Sequence, residues 1–370
     1  MTGIAGIIGL GLIGGSLAKA LKAKCGFTRV TAVNRGLRPL EQAKADGVVD
    51  AYAASHGITD ESLYALFHDC EVVFICAPVD RIPEYAERLS RVIAPGCILT
   101  DAGSTKASIY QYMSSKSPVC FIGGHPMAGS EKTGYANATH YLFENAYYVL
   151  TPMPWVPEAA VARLTEIVKA MGAIPALMPP GAHDAAVAAI SHAPHVIASA
   201  LVNTVQSLDN SGDLHALAAG GFKDLTRIAS SSPEIWQAIC MENRGELRRV
   251  IDRFIEILRT FTAGLDDAGG EPVLRFFGAA KEYRDSFARI SPGAYNKQYE
   301  IRVEVEDKPG IIATVATILS FNGINIKNIG ILNSREYENG VLQILFEDEA
   351  ALKASSELLK RMNFVIAERA

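Results

Sequence analysis

Up to about residue 150, short β-rich apolar runs alternate with stretches of helical spacing. The runs at 4–8, 29–33, 72–76, 97–101 and 121–123 are short and bounded by turn residues, as buried strands are. Strands alternating with helices predict a parallel sheet covered by helices, an α/β domain spanning 1–154. Pro152, Pro154 and Pro157 then crowd one short segment, and beyond it strand-like runs nearly vanish. Residues 155–290 carry long patterns rich in Ala, Leu and Ile, with helix starts expected at Pro157, His183, Ser232 and Gly270, which predicts an all-α domain. Its apolar content at 190–205 and 250–261 exceeds the needs of one small bundle, so a subunit interface and a homodimer are expected. Residues 291–298 read as a linker. From 299 to 370 the pattern runs strand, Lys308-Pro309-Gly310 turn, helix to about Asn322, strand at 324–332, strand at 341–346, helix at 349–362 and a closing strand, a βαββαβ module.

Composition narrows the function. The chain has 370 residues, 49% of them hydrophobic and 20% charged, with a formal net charge of −5. Without a Lys/Arg block there is no electrostatic footprint for nucleic acid. The six cysteines are scattered through apolar stretches, without CxxC pairs, and are expected to be reduced. The N-terminus is apolar but lacks a basic leader region and carries glycines at meaningful spacing, so a cytoplasmic location is expected. No membrane span is expected either, because the apolar stretch 187–202 is broken by Ser191, His192, Pro194 and His195 short of the ~20 residues that cross a bilayer.

The chemistry begins at Gly9-Leu10-Gly11-Leu12-Ile13-Gly14, which follows an Ile-rich strand and opens a helix. Glycines there let a backbone approach a pyrophosphate, and the helix N-terminus favours its charge, so a Rossmann-like dinucleotide-binding domain is expected. The second strand ends in Asn34-Arg35 rather than in a carboxylate, with Arg38 nearby, so either NAD or NADP fits. Ala77-Pro78 and the segment Asp101-Ala102-Gly103-Ser104-Thr105-Lys106 end the next two strands at the edge where such sheets bind ligands. Pro78 also reads as a plain loop proline and Lys106 as a solvated charge. His125, on a glycine-lined turn followed by Ser130-Glu131, is the candidate general base. Further on, His183-Asp184, Ser191-His192 and His195, then Gly220, Lys223, Asp224 and Arg227, place polar groups in apolar surroundings. A site lined by His195 and Arg227 is expected there, with Asp184, Glu131 and Asp224 as ionic partners. His192 and His195 make a thin metal motif, and no metal is expected.

In this order, GLGLIGGS, DAGSTK, GGHPMAGSE, ISHAPH and GGFKDLTRIA resemble the prephenate dehydrogenase family over residues 3 to about 290. The segment from Tyr299 resembles an ACT regulatory domain through its Asp307 to Gly310 turn. The resemblance implies oxidative decarboxylation of prephenate to 4-hydroxyphenylpyruvate in tyrosine biosynthesis, or of arogenate to tyrosine. It places the catalytic histidine at His125 and a hydrogen-bonding serine at Ser104. Substrate binding falls to His195 and Arg227, with Ser130 and Gly220 in the same motifs. Glu131, Asp184, Lys223 and Asp224 match charged residues that order or gate the pocket, and Trp236 matches a tryptophan near the partner subunit's site. Many members carry Asp where this chain has Asn34. A small amino acid, expected to be tyrosine, would dock at Asp307, Pro309, Gly310, Asn325 and Ile326. A hydroxyacid dehydrogenase would carry a lysine where this chain has its histidines, and a non-catalytic sensor would lack one of Ser104, His125, His195 or Arg227; all four are present.

Overall fold

The structure, a computed structural model, describes residues 3–55, 65–116, 119–129, 132–287, 299–306, 308–332 and 340–367. They fall into two compact units, 1–260 and 261–370. In the first, β1 (Ile4–Ile8), α1 (Leu12–Ala23), β2 (Arg29–Asn34), α2 (Leu37–Ala45), β3 (Ala51–Ala54), β4 (Val72–Ile75), α3 (Ile82–Leu89), β5 (Ile98–Asp101), α4 (Ala107–Ser114), β6 (Phe121–Pro126), β7 (Tyr147–Pro152), α5 (Glu158–Ala170) and β8 (Ile174–Leu177) follow in turn. The strands form one sheet in the order β3-β2-β1-β4-β5-β6-β7-β8, parallel throughout except for the β6/β7 pair. All five expected strands are present. β4 shows why they read as continuous apolar runs: Val72 and Phe74 pack into the core on one face, Val73 and Ile75 into the core on the other.

β3, β7 and β8 were not expected. β3 is an edge strand with alanine at three of its four positions, and β8 contains Pro175 and Ala176, so neither shows a β-branched pattern. Because β8 joins this sheet, sheet continuity carries the first domain past the boundary expected at 154 to Leu177.

The helices that follow are α6 (Pro180–Val187), a π turn (Ala188–His192), α7 (Ala193–Leu208), α8 (Asp213–Leu217), α9 (Gly220–Thr226), a 3-10 turn (Arg227–Ser230), α10 (Pro233–Glu242), α11 (Arg244–Gly264) and α12 (Glu271–Ser286). Pro157, Ser232 and Gly270 are N-caps, as expected, while α6 starts ahead of His183 because Pro180 occupies its first turn. Pro194 has no N–H to donate and would crowd the carbonyl of Ile190, and the π turn absorbs that defect without ending the helix. Residues 180–208 therefore form one continuous helix of 29 residues, with mean hydropathy 1.6 in its most apolar window, long and apolar enough to cross a bilayer. This corrects the expectation that polar residues interrupt the run. Those residues are drawn into the site described below, and the helix leaves Ile190 and Leu208 exposed.

The second unit takes in α12 and then β9 (Glu300–Val305), α13 (Ile311–Phe321), β10 (Asn328–Leu332), β11 (Gly340–Leu345), α14 (Glu349–Arg361) and β12 (Val365–Ala367), which reproduce the expected βαββαβ order around an antiparallel sheet β10-β11-β9-β12. β9 buries Ile301, Val303 and Val305 at alternate positions, the half-buried pattern its sequence shows. β10 starts at Asn328, so Asn325 and Ile326 lie in the preceding loop rather than in a strand; Ile326 packs on the small core and Asn325 is exposed. Gly310 adopts φ +88 as the N-cap of α13, and Pro309 is exposed beside it. Asp307 and the 291–298 linker lie outside the described residues.

Candidate active site

Because β1, β4, β5 and β6 run parallel, their C-terminal ends share one edge, which collects residues 9–14, 76–78, 101–106 and His125. The glycine loop is shaped for a dinucleotide. Gly9 sits at φ +88, where a Cβ would lie 2.3 Å from the Cys76 carbonyl oxygen, and a Cβ on Gly14 would lie 1.9 Å from that of Gly9. A Cβ on Gly11 would meet nothing within 4 Å, so the loop is closed behind and open in front. Gly11 caps α1 without a side-chain hydrogen bond, and no acidic residue stands in the first turn, where Leu12 and Ile13 lie. These amides fit a pyrophosphate. Asn34 braces the loop: its Oδ1 accepts from the Leu10 amide at 3.0 Å and its Nδ2 donates to the Gly36 carbonyl at 2.9 Å. Arg35 is exposed beside it, Ala77 is half-buried, and Pro78 caps a 3-10 turn.

His125 ends β6 within a chain of hydrogen bonds. Its Nδ1 lies 2.8 Å from His183 Nε2, and His183 Nδ1 lies 2.7 Å from Asp184 Oδ1. Asp184 also accepts from the amides of Lys106 and Ala107, both at 2.8 Å, and so caps α4 from 77 or more residues away. The order of donors follows. Ionised Asp184 only accepts, so His183 Nδ1 carries the proton; neutral His183 then presents a lone pair at Nε2, and His125 must donate from Nδ1. That leaves the lone pair of neutral His125 on Nε2, the form a general base needs. Burial first, then electrostatic coupling to His183, Lys106 and His192, holds His125 well below the ordinary histidine range. Burial alone would raise Asp184, but its hydrogen bonds to His183 and the two amides bring it below the usual carboxylate value.

Lys106 is not solvated: it is 1% exposed and its ammonium pairs with Asp101, which is fully buried. The Asp101 carboxylate also accepts from the amides of Gly103 at 2.8 Å and Gly124 at 2.9 Å. This pair ties the end of β5 to the strand that presents His125. Burial pulls the Lys106 ammonium down, against the opposing pull of Asp101 and Asp184. Ser104 lies half-buried on the same loop, and its hydroxyl makes no hydrogen bond to a described residue.

On the helical side, His195 stacks on Trp236 with ring centroids 3.8 Å apart, within one chain. His195 Nδ1 donates to the Ser191 carbonyl at 3.0 Å; burial lowers its basicity, that hydrogen bond opposes the shift, and Arg227 adds to it. The expected ionic partners differ from those observed. Asp184 is committed to His183 and α4, while Lys223, Asp224 and Gly220 are exposed on α9, where Lys223 and Asp224 form no ion pair with a described residue. Arg227 is exposed rather than embedded in apolar surroundings. Ser130 and Glu131 lie outside the described residues. Sequence reasoning gave His183 no role of its own, read Lys106 as a solvated charge, and passed over Asn243, whose Nδ2 donates to the Asp184 carbonyl at 2.8 Å. The adjacent His-Asp pair was the available signal for the first.

Comparison with known proteins agrees with this geometry. Residues 17–176 match the prephenate dehydrogenase nucleotide-binding domain, residues 179–288 the prephenate dehydrogenase dimerization domain, and residues 301–367 an AHAS small subunit-like ACT domain. The chain is 35% identical to a prephenate dehydrogenase of Bacillus subtilis, over 96% of this chain and 95% of that one. Among solved structures, prephenate dehydrogenase of Aquifex aeolicus, in complex with hydroxyphenyl propionate and NAD+, superposes with TM-score 0.72 at 27% identity, covering 78% of this chain and 99% of that one. Synechocystis arogenate dehydrogenase gives TM-score 0.65 at 28% identity, covering 77% and 99%. Full-length similarity to a curated relative, two consecutive domain matches and a base poised at the edge of a dinucleotide fold lead to one assignment: the chain belongs to the prephenate dehydrogenase family and is a nicotinamide-dependent dehydrogenase.

Proposed function

We propose that the chain oxidises and decarboxylates prephenate to 4-hydroxyphenylpyruvate, with arogenate as the alternative substrate. The observation that carries this reading is the His125–His183–Asp184 chain, which leaves an unprotonated Nε2 at the cofactor edge of the sheet. A dinucleotide would be held at its pyrophosphate by residues 9–14, with Asn34, Arg35, Ala77 and Pro78 around it, and its nicotinamide would supply the hydride acceptor for C4 of the substrate. His125 Nε2 takes the proton of the C4 hydroxyl, whose acidity rises steeply as hydride departs, so a weakly basic imidazole suffices. Loss of the ring carboxylate as CO2 then makes the ring aromatic, and the C4 oxygen regains the proton held on His125. Ser104 orients the hydroxyl and Arg227 holds a substrate carboxylate beside His195, the roles of Ser130, Glu131, Lys223, Asp224, Trp236 and Gly220 being to line or gate the pocket.

One assay tests the reading and separates its variants: prephenate and arogenate are each supplied with NAD and with NADP, and reduced nicotinamide is followed by absorbance. Turnover of prephenate is the expected result, and turnover of neither substrate would sink the proposal. Asn34 brings no negative charge against a 2′-phosphate, and exposed Arg35 and Arg38 flank it, which favours measurable activity with NADP beside NAD.

Ile190, Leu208, Leu217, Leu225 and Ile235 are exposed on the helices of the first unit, and this apolar surface supports a homodimer. Light scattering at micromolar concentration should give twice the mass of one chain; the mass of a single chain would contradict it. Residues 4–23 build β1 and α1 of the first unit, and a cytoplasmic location is proposed for the enzyme. The ACT-like module is proposed to bind tyrosine around Asp307, Pro309, Gly310, Asn325 and Ile326. Removing residues 297–370 should abolish tyrosine inhibition and spare turnover; inhibition that survives would place tyrosine in the active site.

A further inference from the structure

His192 is 1% exposed, and its Nε2 has no hydrogen-bond partner among the described residues. Its Nδ1 lies 3.2 Å from Asn243 Nδ2, the same amide nitrogen that donates to the Asp184 carbonyl. That carbonyl can only accept, so it fixes which end of the Asn243 amide faces inward, and His192 Nδ1 must accept the second N–H. The proton of the neutral ring therefore sits on Nε2. A buried N–H left without a partner is destabilising and rare in folded proteins, and it calls for an occupant.

The surroundings identify that occupant. His192 interacts electrostatically with Asp184, His183 and His195, and in turn with His125, and the Trp236 ring meets it edge-on at 6.0 Å. Asn243 ties His192 to Asp184 of the catalytic chain, and the Trp236 ring that meets it edge-on also stacks on His195. His195 directs its own N–H to the Ser191 carbonyl, so while neutral it offers the pocket a lone pair and no donor. His192 offers the opposite. A neutral donor suits a carboxylate that must depart as CO2, because it orients the group without the electrostatic grip by which a cation would oppose loss of the charge.

We propose that His192 Nε2–H donates a hydrogen bond to the ring carboxylate of the bound cyclohexadiene substrate, an inference that rests on the functional reading above. His192→Asn keeps a partner for Asn243 and removes the Nε2 donor, whereas His192→Gln places an amide nitrogen close to the lost one. His192→Asn should raise KM for prephenate by about 10- to 100-fold. Its affinity for NAD+, by calorimetry, and for 4-hydroxyphenylpyruvate, which lacks the ring carboxylate, as a product inhibitor should stay within about twofold, and His192→Gln should recover most of the loss. An unchanged KM in His192→Asn overturns the inference. So does a parallel loss of affinity for substrate, product and cofactor, which marks a purely structural residue. The unmodified enzyme is assayed alongside: if it turns over neither prephenate nor arogenate, the functional reading falls and this inference with it, whereas an active enzyme beside an unaltered His192→Asn overturns the inference alone.

Discussion

His125→Asn should lower kcat by about 10²- to 10⁴-fold with a modest change in KM, the usual contribution of a positioned general base. Asn at 125 can still donate to His183 Nε2, so the hydrogen-bond chain has a replacement and the loss reports on the base itself. The pH profile adds an independent check. Only neutral His125 accepts a proton, and burial together with neighbouring positive charge keeps its pKa well below 6.5. Activity should therefore hold as pH falls through 6.5 and decline only in more acid solution, since protonation removes the lone pair. Stopped assays of kcat/KM from pH 5 to 8 would show it; a limb centred at the ordinary histidine value, or an unchanged kcat in the variant, would remove His125 from the mechanism.

The second large effect is expected at a residue with no contact to the reacting atoms. Asp184→Asn turns one acceptor oxygen into a donor facing the amides that cap α4, and it weakens the hold on the His183 proton. If His183 then carries its proton on Nε2, His125 must accept at Nδ1 and its own proton moves to Nε2, which erases the base while every ring stays in place. A wrong tautomer of this kind costs about 10²- to 10⁴-fold in kcat. The lost cap should lower stability by roughly 1–3 kcal/mol. Steady-state kinetics with thermal unfolding separates the two: a variant that is destabilised yet retains its kcat would show that Asp184 holds the fold and not the tautomer.

Legibility in the sequence followed the range of the interactions. The glycine loop, the strand that carries His125 and the βαββαβ module were readable because each depends on neighbours a few residues away. β3 and β8 were not, since alanine- and proline-bearing edge strands owe their conformation to the strand beside them. Lys106 reads as a surface charge in a local window even with Asp101 five residues before it, because only the fold buries the pair and brings the Gly123-Gly124 backbone against it. The Asp184 carboxylate looked like a partner for Arg227, yet its ligands are amides 77 and 78 residues earlier. The histidine cluster was visible as residue types, but the direction of each ring proton emerged only once acceptors were in place.

The π turn at Ala188–His192 stores the register of the active site as a surplus of one residue. His183 and Asp184 precede it, while His192 ends it and His195 follows. Each residue advances a helix by about 100°. Deleting a single alanine within the turn would restore regular winding and swing the downstream histidines away from the upstream pair, with no reactive group altered. For this enzyme a one-codon deletion in an apolar helix is thus a heavier lesion than most substitutions there, and the spacing between HD and SHAPH is as much a part of the catalytic apparatus as the letters themselves.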